Sequence, residues 1–155
     1  MGGRGASSSA GGGKYAGRYS GGTASMLNSA EEQLQEYIDR EQRIVDNKQA
    51  YYKAIPKAEA DEFIKGHADT LKELKLQQKE LQAEKKRRSK NTVAQNDMAD
   101  RIRQNARKNG VITDLAFSKQ KSGNVKFTYT NTMTNTKNNV GWIDKDGNVS
   151  YEKRK

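Results

Sequence analysis

Nine cations crowd into residues 85–108: Lys85, Lys86, Arg87, Arg88, Lys90, Arg101, Arg103, Arg107 and Lys108. The first five end a helical pattern. The run 85–88 covers most of a helix circumference, so its members cannot all lie on one salt-bridged face. Their mutual repulsion is relieved by the negative end of the helix dipole or by a polyanion. Phosphate neutralisation with counterion release is the chemistry that this spacing suits, and the nine form the candidate nucleic-acid-binding set. A solvated helix end is the plainer alternative. The net charge of +10 is unevenly spread: residues 84–109 carry +6 and 110–155 carry +4, while 29–83 are slightly acidic.

Other chemistries find little support. Cysteine is absent, which removes thiolate metal sites, disulfides and thiol nucleophiles. His67 is the only histidine and sits beside the apolar line of a helix, where packing or an interface explains it. The stretch Asp144-Lys145-Asp146-Gly147-Asn148 shares fragments with a calcium loop but lacks the rest of its ligand pattern, and a hairpin turn accounts for it. Acidic pairs at Glu31/Glu32 and Glu59/Asp61/Glu62 fit helix starts, where the macrodipole favours negative charge. The N-terminal glycines precede no strand–turn–helix unit, so a phosphate-cradling loop is not expected. The reading is of a non-enzymatic protein with no catalytic residues, no metal and no cofactor, acting on no small-molecule substrate.

A second group of residues joins aromatics to lysines. Lys119, Lys121 and Lys126 flank a hairpin near Phe127, Tyr129, Trp142 and Tyr151. Such a surface stacks bases in some single-strand binders, yet a domain this small needs the same rings for its core.

The elements that position these residues follow from periodicity. Residues 1–28 hold most of the glycine, interrupted by Arg4, Lys14, Tyr15, Arg18 and Tyr19, and are expected to be a disordered basic leader. Ser29 and Glu32 resemble a capping box opening a long helix with Leu34, Tyr37, Ile38, Ile44, Val45, Tyr51, Tyr52 and Ile55 along one stripe. Pro56, the only proline, ends that helix or opens the next, whose stripe is Phe63, Ile64, Ala68, Leu71, Leu74, Gln78 and Leu81. Two such helices predict an antiparallel, coiled-coil-like hairpin over 29–88, with a parallel dimer as the competitor. A third helix is expected from about Thr92 to Lys108, its narrow apolar line Val93, Met98, Ile102 and Ala106, closed by Asn109-Gly110. Alternation then takes over. Val111, Thr113, Leu115 and Phe117 are read as one strand face, and Val125, Phe127, Tyr129 and Met133 as another. Val140, Trp142, Val149 and Tyr151 complete a four-strand antiparallel meander, covered on its apolar face by the third helix. The fold class is therefore α+β, in three parts: 1–28, 29–88 and 89–155.

The opening Met1-Gly2-Gly3-Arg4-Gly5-Ala6-Ser7-Ser8-Ser9 resembles the leader of small proteins encoded by bacteriophages and prophages of Gram-positive bacteria. That resemblance implies a phage origin and a place in the host cytoplasm or virion. Combined with the basic region, it suggests an accessory protein that binds DNA or RNA. The alternatives are a structural or assembly protein docking a protein partner, or a second copy of itself, through the hairpin, a small inhibitor of a host nucleic-acid enzyme, and, last, a degenerate nuclease or toxin. No apolar run approaches the roughly 20 residues that span a bilayer, so neither membrane insertion nor secretion is expected.

Overall fold

The computed structural model describes residues 13–153. It contains helices α1 (Ala24–Asp46), α2 (Lys48–Ala54), α3 (Lys57–Ser89) and α4 (Val93–Asn109), then strands β1 (Ile112–Lys119), β2 (Val125–Asn131), β3 (Thr136–Ile143) and β4 (Val149–Tyr151). The architecture is α+β, with the sheet antiparallel in the order β1-β2-β3-β4. The expected disorder of the leader falls partly on residues 1–12, which lie outside the described residues. The described residues divide into two compact units, 13–16 with 28–82, and 17–27 with 83–153.

The first unit is the helical hairpin. Gln35 accepts from Gln78 (2.9 Å), Gln42 faces Lys75 (3.4 Å), Glu41 pairs with His67 and Glu31 with Gln82. Partners advance along one helix as they retreat along the other, so α1 and α3 run antiparallel. Apolar positions at steps of three and four explain why: Leu34 and Ile38 on α1 and Ala60, Leu71 and Leu81 on α3 are buried. Phe63 packs against Tyr51 in a tilted arrangement and against His67 edge-on, with centroids 4.9 and 4.6 Å away. Pro56 opens α3, its carbonyl accepting from Ala60 N–H (3.0 Å).

Two expectations for these helices are corrected. The helix does not begin at Ser29. It begins at Ala24, where the Thr23 hydroxyl accepts from Met26 N–H (3.4 Å) and the Asp100 carboxylate accepts from Ala24 N–H (3.0 Å). A carboxylate brought from 76 residues away is a cap that no local pattern reveals. Nor does the helix run unbroken to Pro56: Asn47, at φ −95° and ψ 24°, separates α1 from α2, and its N–H is shared between the carbonyls of Arg43 and Ile44.

The second unit packs α4 across one face of the sheet. Ala99 and Ile102 of α4 meet Val125, Phe127 and Ile143, with Met98, Leu115, Phe117, Tyr129 and Val149 around them. Thr92 and Gln95 form a reciprocal capping box at the start of α4, and Gly110 at φ +68° closes it. Gln95 is fully buried. It donates to the carbonyl of Gly123 (2.8 Å) and accepts from Thr92 N–H (2.9 Å) and Lys119 Nζ (3.0 Å). One amide thus ties the helix start to the β1–β2 turn. The apolar line expected for α4 is corrected: its buried face is Gln95, Ala99, Ile102 and Arg103, whereas Val93 is 77% exposed.

Strand registers place Phe127 opposite Phe117 and Gly141, and Val125 opposite Lys119 and Ile143. A bulge at Asp114, which has φ +55°, shifts β1 by one residue. Ile112 therefore takes the inward position expected for Thr113, which is exposed. Met133 does not share the Phe127 face. It lies in the β2–β3 turn, 81% exposed, its N–H bonded to the Asn131 side chain (3.0 Å).

Candidate nucleic-acid interface

The nine cations expected to bind phosphate all lie in the second unit, and the fold sorts them into two groups. Arg88 and Arg103 face inward. Arg103 is 3% exposed; it donates from Nε to the Ser20 carbonyl (2.8 Å) and from Nη1 to Asp100 (2.8 Å), with its guanidinium 4.3 Å from the Phe117 ring centroid. Burial, and then the charge of neighbouring Arg88, lower its pKa from the ordinary arginine value, while Asp100 and Glu84 oppose that shift. Arg88 donates from Nε to Glu84 (2.7 Å) and from Nη2 to the carbonyls of Tyr19, Ser20 and Gly22 (3.2, 3.2 and 2.6 Å). Its Nη1 stands 3.9 Å from Asp100.

Two arginines and two carboxylates, Glu84 and the 22% exposed Asp100, thus form a partly buried cluster that holds the segment before α1. Residues 17–22 are not a loose leader: Ser20 N–H bonds the Gly17 carbonyl, Gly22 N–H bonds the Tyr19 carbonyl, and Gly17 supplies a φ of +76° for the turn. Arg107 adds a bond to the Gly21 carbonyl (3.1 Å) from an exposed position. Arg87 pairs with Glu84 and is half-buried, as is Lys85.

Lys86, Lys90, Arg101 and Lys108 remain exposed. Lys86 lies in the last turn of α3 and Lys90 just beyond its end. Arg101 and Lys108 come from the side of α4 turned away from the sheet, at the spacing that keeps them on one helical face. Of the nine, these four and Arg107 are exposed, Lys85 and Arg87 are half-buried, and Arg103 and the Arg88 side chain are largely enclosed. Arg88 and Arg103 are turned inward: their side chains are 11% and 3% exposed and bond carboxylates and carbonyls of the protein itself.

The sheet sorts the aromatic group as well. Phe127 is core, and Tyr129 packs against it with centroids 5.9 Å apart. Tyr151 meets both at their edges and stays 60% exposed. Trp142 lies on the opposite face, paired across the strands with Lys126 and Ser150.

The Asp144–Asn148 turn uses its acidic group internally. Asp144 Oδ1 accepts from the backbone N–H of Asp146 and of Asn148 (both 2.9 Å). The Asn148 N–H foremost holds this carboxyl below its ordinary value. Among the described residues, no group of three or more His, Cys, Asp or Glu is arranged to hold a metal ion, and no helix is long and apolar enough to cross a membrane. The chain matches no family, and no curated protein or solved structure was found to be similar to it.

Proposed function

We propose that this chain is a non-enzymatic accessory protein that binds nucleic acid through the exposed cations of its second unit. One observation carries the reading. Gly17–Leu27 and Ala83–Lys155 hold 18 lysines and arginines against 7 acidic residues, a net +11, while the rest of the chain holds 11 against 12 and is close to neutral. The whole excess thus belongs to one unit, where it attracts and orients a phosphate polymer. A phage or prophage setting, in the host cytoplasm or the virion, is the context suggested by the leader resemblance.

Changing Lys86, Lys90, Arg101 and Lys108 together to glutamine tests this. These side chains are exposed, so the fold is expected to persist while affinity for DNA and RNA drops. On duplex DNA the slope of log K against log salt should become shallower by about 0.9 for each phosphate that is no longer neutralised. Unchanged affinity and slope in a folded quadruple variant would overturn the assignment.

The first unit supports a second reading. Phe63, Leu76, Tyr37 and Ile55 are 37–41% exposed on a nearly neutral hairpin, which suits a protein partner whose binding is little affected by salt. A charged substitution at Leu76 would then abolish that association and leave nucleic-acid binding intact.

A further inference from the structure

The face of the sheet away from α4 presents a side-chain arrangement of its own. Alternation along the strands turns Val125, Phe127 and Ile143 into the core, so the residues between them, Lys126, Thr128, Val140 and Trp142, face the other way. They are partly exposed, and the neighbouring Ser118 and Ser150 are exposed. The registers place Ser118, Lys126, Trp142 and Ser150 in one row across the four strands, with Thr128 and Val140 in the next. Trp142 is the only tryptophan of the chain. Lys126 is its cross-strand neighbour, with Nζ 5.8 Å from the ring centroid, and Glu152, whose N–H bonds the Val140 carbonyl (2.9 Å), follows Ser150 on the same face.

The Trp142 indole is only partly buried, so part of its ring remains within reach of a ligand. The core does not use it: the helix and Phe127 fill the inner face. Charge identifies the occupant. The surrounding unit carries net +11 and the residue paired with the ring across β2 is a lysine, which outweighs the single carboxylate of Glu152 on this face, so an acidic protein surface or a polyanion is favoured over an apolar partner. Between those, the flat aromatic decides. A ring flanked by hydroxyls and a cation offers a stacking surface for a base and a counter-charge for the adjoining phosphate, the two components of sequence-tolerant single-strand binding. A base paired within a duplex does not expose its face in this way.

We infer that Trp142, with Lys126 beside it, stacks an unpaired base, making this sheet face a binding site for single-stranded nucleic acid. The inference rests on the proposed nucleic-acid function and assigns it a second surface, separate in kind from the phosphate-binding cations of α3 and α4.

The lone tryptophan reports on its own site. The intact protein is titrated with oligo(dT) and oligo(U) of about 15 nucleotides, the upper range of a single-strand site on one small fold, and with a duplex of equal length. Indole emission and strand anisotropy are followed together. Quenching by either single strand, with little change from the duplex, is the expected result. Trp142→Ala should weaken single-strand binding by about 5- to 100-fold, the range of one stacked base, while Trp142→Phe retains most of it and neither alters duplex binding. Lys126→Gln should weaken the single strand by a few-fold and flatten its salt slope by about 0.7, the share of one phosphate on a single strand. Should the strands bind by anisotropy with indole emission and Trp142→Ala affinity unchanged, the stacking site is overturned and the basic-surface function survives. Equal quenching by the duplex would likewise overturn it, and absence of binding by every probe would remove both.

Discussion

Arg101 and Arg103 stand two positions apart on α4 and do opposite things. Arg103 is buried against Asp100, Ser20 and the Phe117 ring, so truncating it opens a cavity and leaves the partly buried Asp100 short of a partner. Arg103→Ala is expected to destabilise the protein by about 3–5 kcal/mol, as breaking a buried pair does, read as a lowered urea midpoint. Arg101→Ala should stay within about 0.5 kcal/mol of the parent. Equal midpoints for the two variants would contradict the sorting of the cations. The crowding of nine cations was readable from the sequence, but which of them the fold encloses was not. The acceptors for Arg88 and Arg103 include carbonyls of residues 19–22, nearly 70 or more positions away, and a carbonyl leaves no signature in a side-chain pattern. A partial signal existed: Glu84 precedes Arg88 by four residues and Asp100 precedes Arg103 by three, both helix-pair spacings. The seven-residue seam through Leu74 and Leu81 also reaches Arg88 if carried one step further.

At the scale of elements, the sheet depends on one missing side chain. Gly141 lies opposite Phe127 in register, and a methyl group there would fall 2.2 Å from the Phe127 ring. Gly141→Ala should therefore cost about 1–3 kcal/mol through overpacking, measured by thermal or urea unfolding. The β3–β4 turn makes a separate prediction. The Asp144 carboxyl is held below its ordinary value of 3.8, chiefly by the Asn148 backbone N–H. A depressed folded pKa means that the ionised group supports the turn fully above the ordinary value and loses that support as pH falls through the folded one. The amide resonances of Asp146 and Asn148 should accordingly titrate below pH 3.8; a midpoint at or above it would contradict the turn geometry. The turn and the meander were legible because Asp-Gly and period-two alternation are local. The Asp114 bulge, the Asn47 break and the early start of α1 were not. Each is set by tertiary contact or by a backbone angle that several residue types adopt, so Ser29 and Glu32 offered a capping box that the chain does not use.

Across the whole molecule, the organising feature is the separation of charge from hairpin. A nearly neutral helical unit and a strongly basic α+β unit occur in one short chain, and the basic one places its tryptophan on an open sheet face and exposed cations on its helices. This separation was visible in the segment charges of the sequence; which cations reach solvent became visible only with the fold. The central claim, that the basic unit binds nucleic acid through exposed cations, is tested most directly by fluorescence anisotropy of the intact protein with labelled DNA and RNA across a salt series. Engagement of the four exposed cations predicts a log–log slope of about −3 to −4, with affinity falling steeply as salt rises. No binding at low salt, or a slope near zero, would contradict the account.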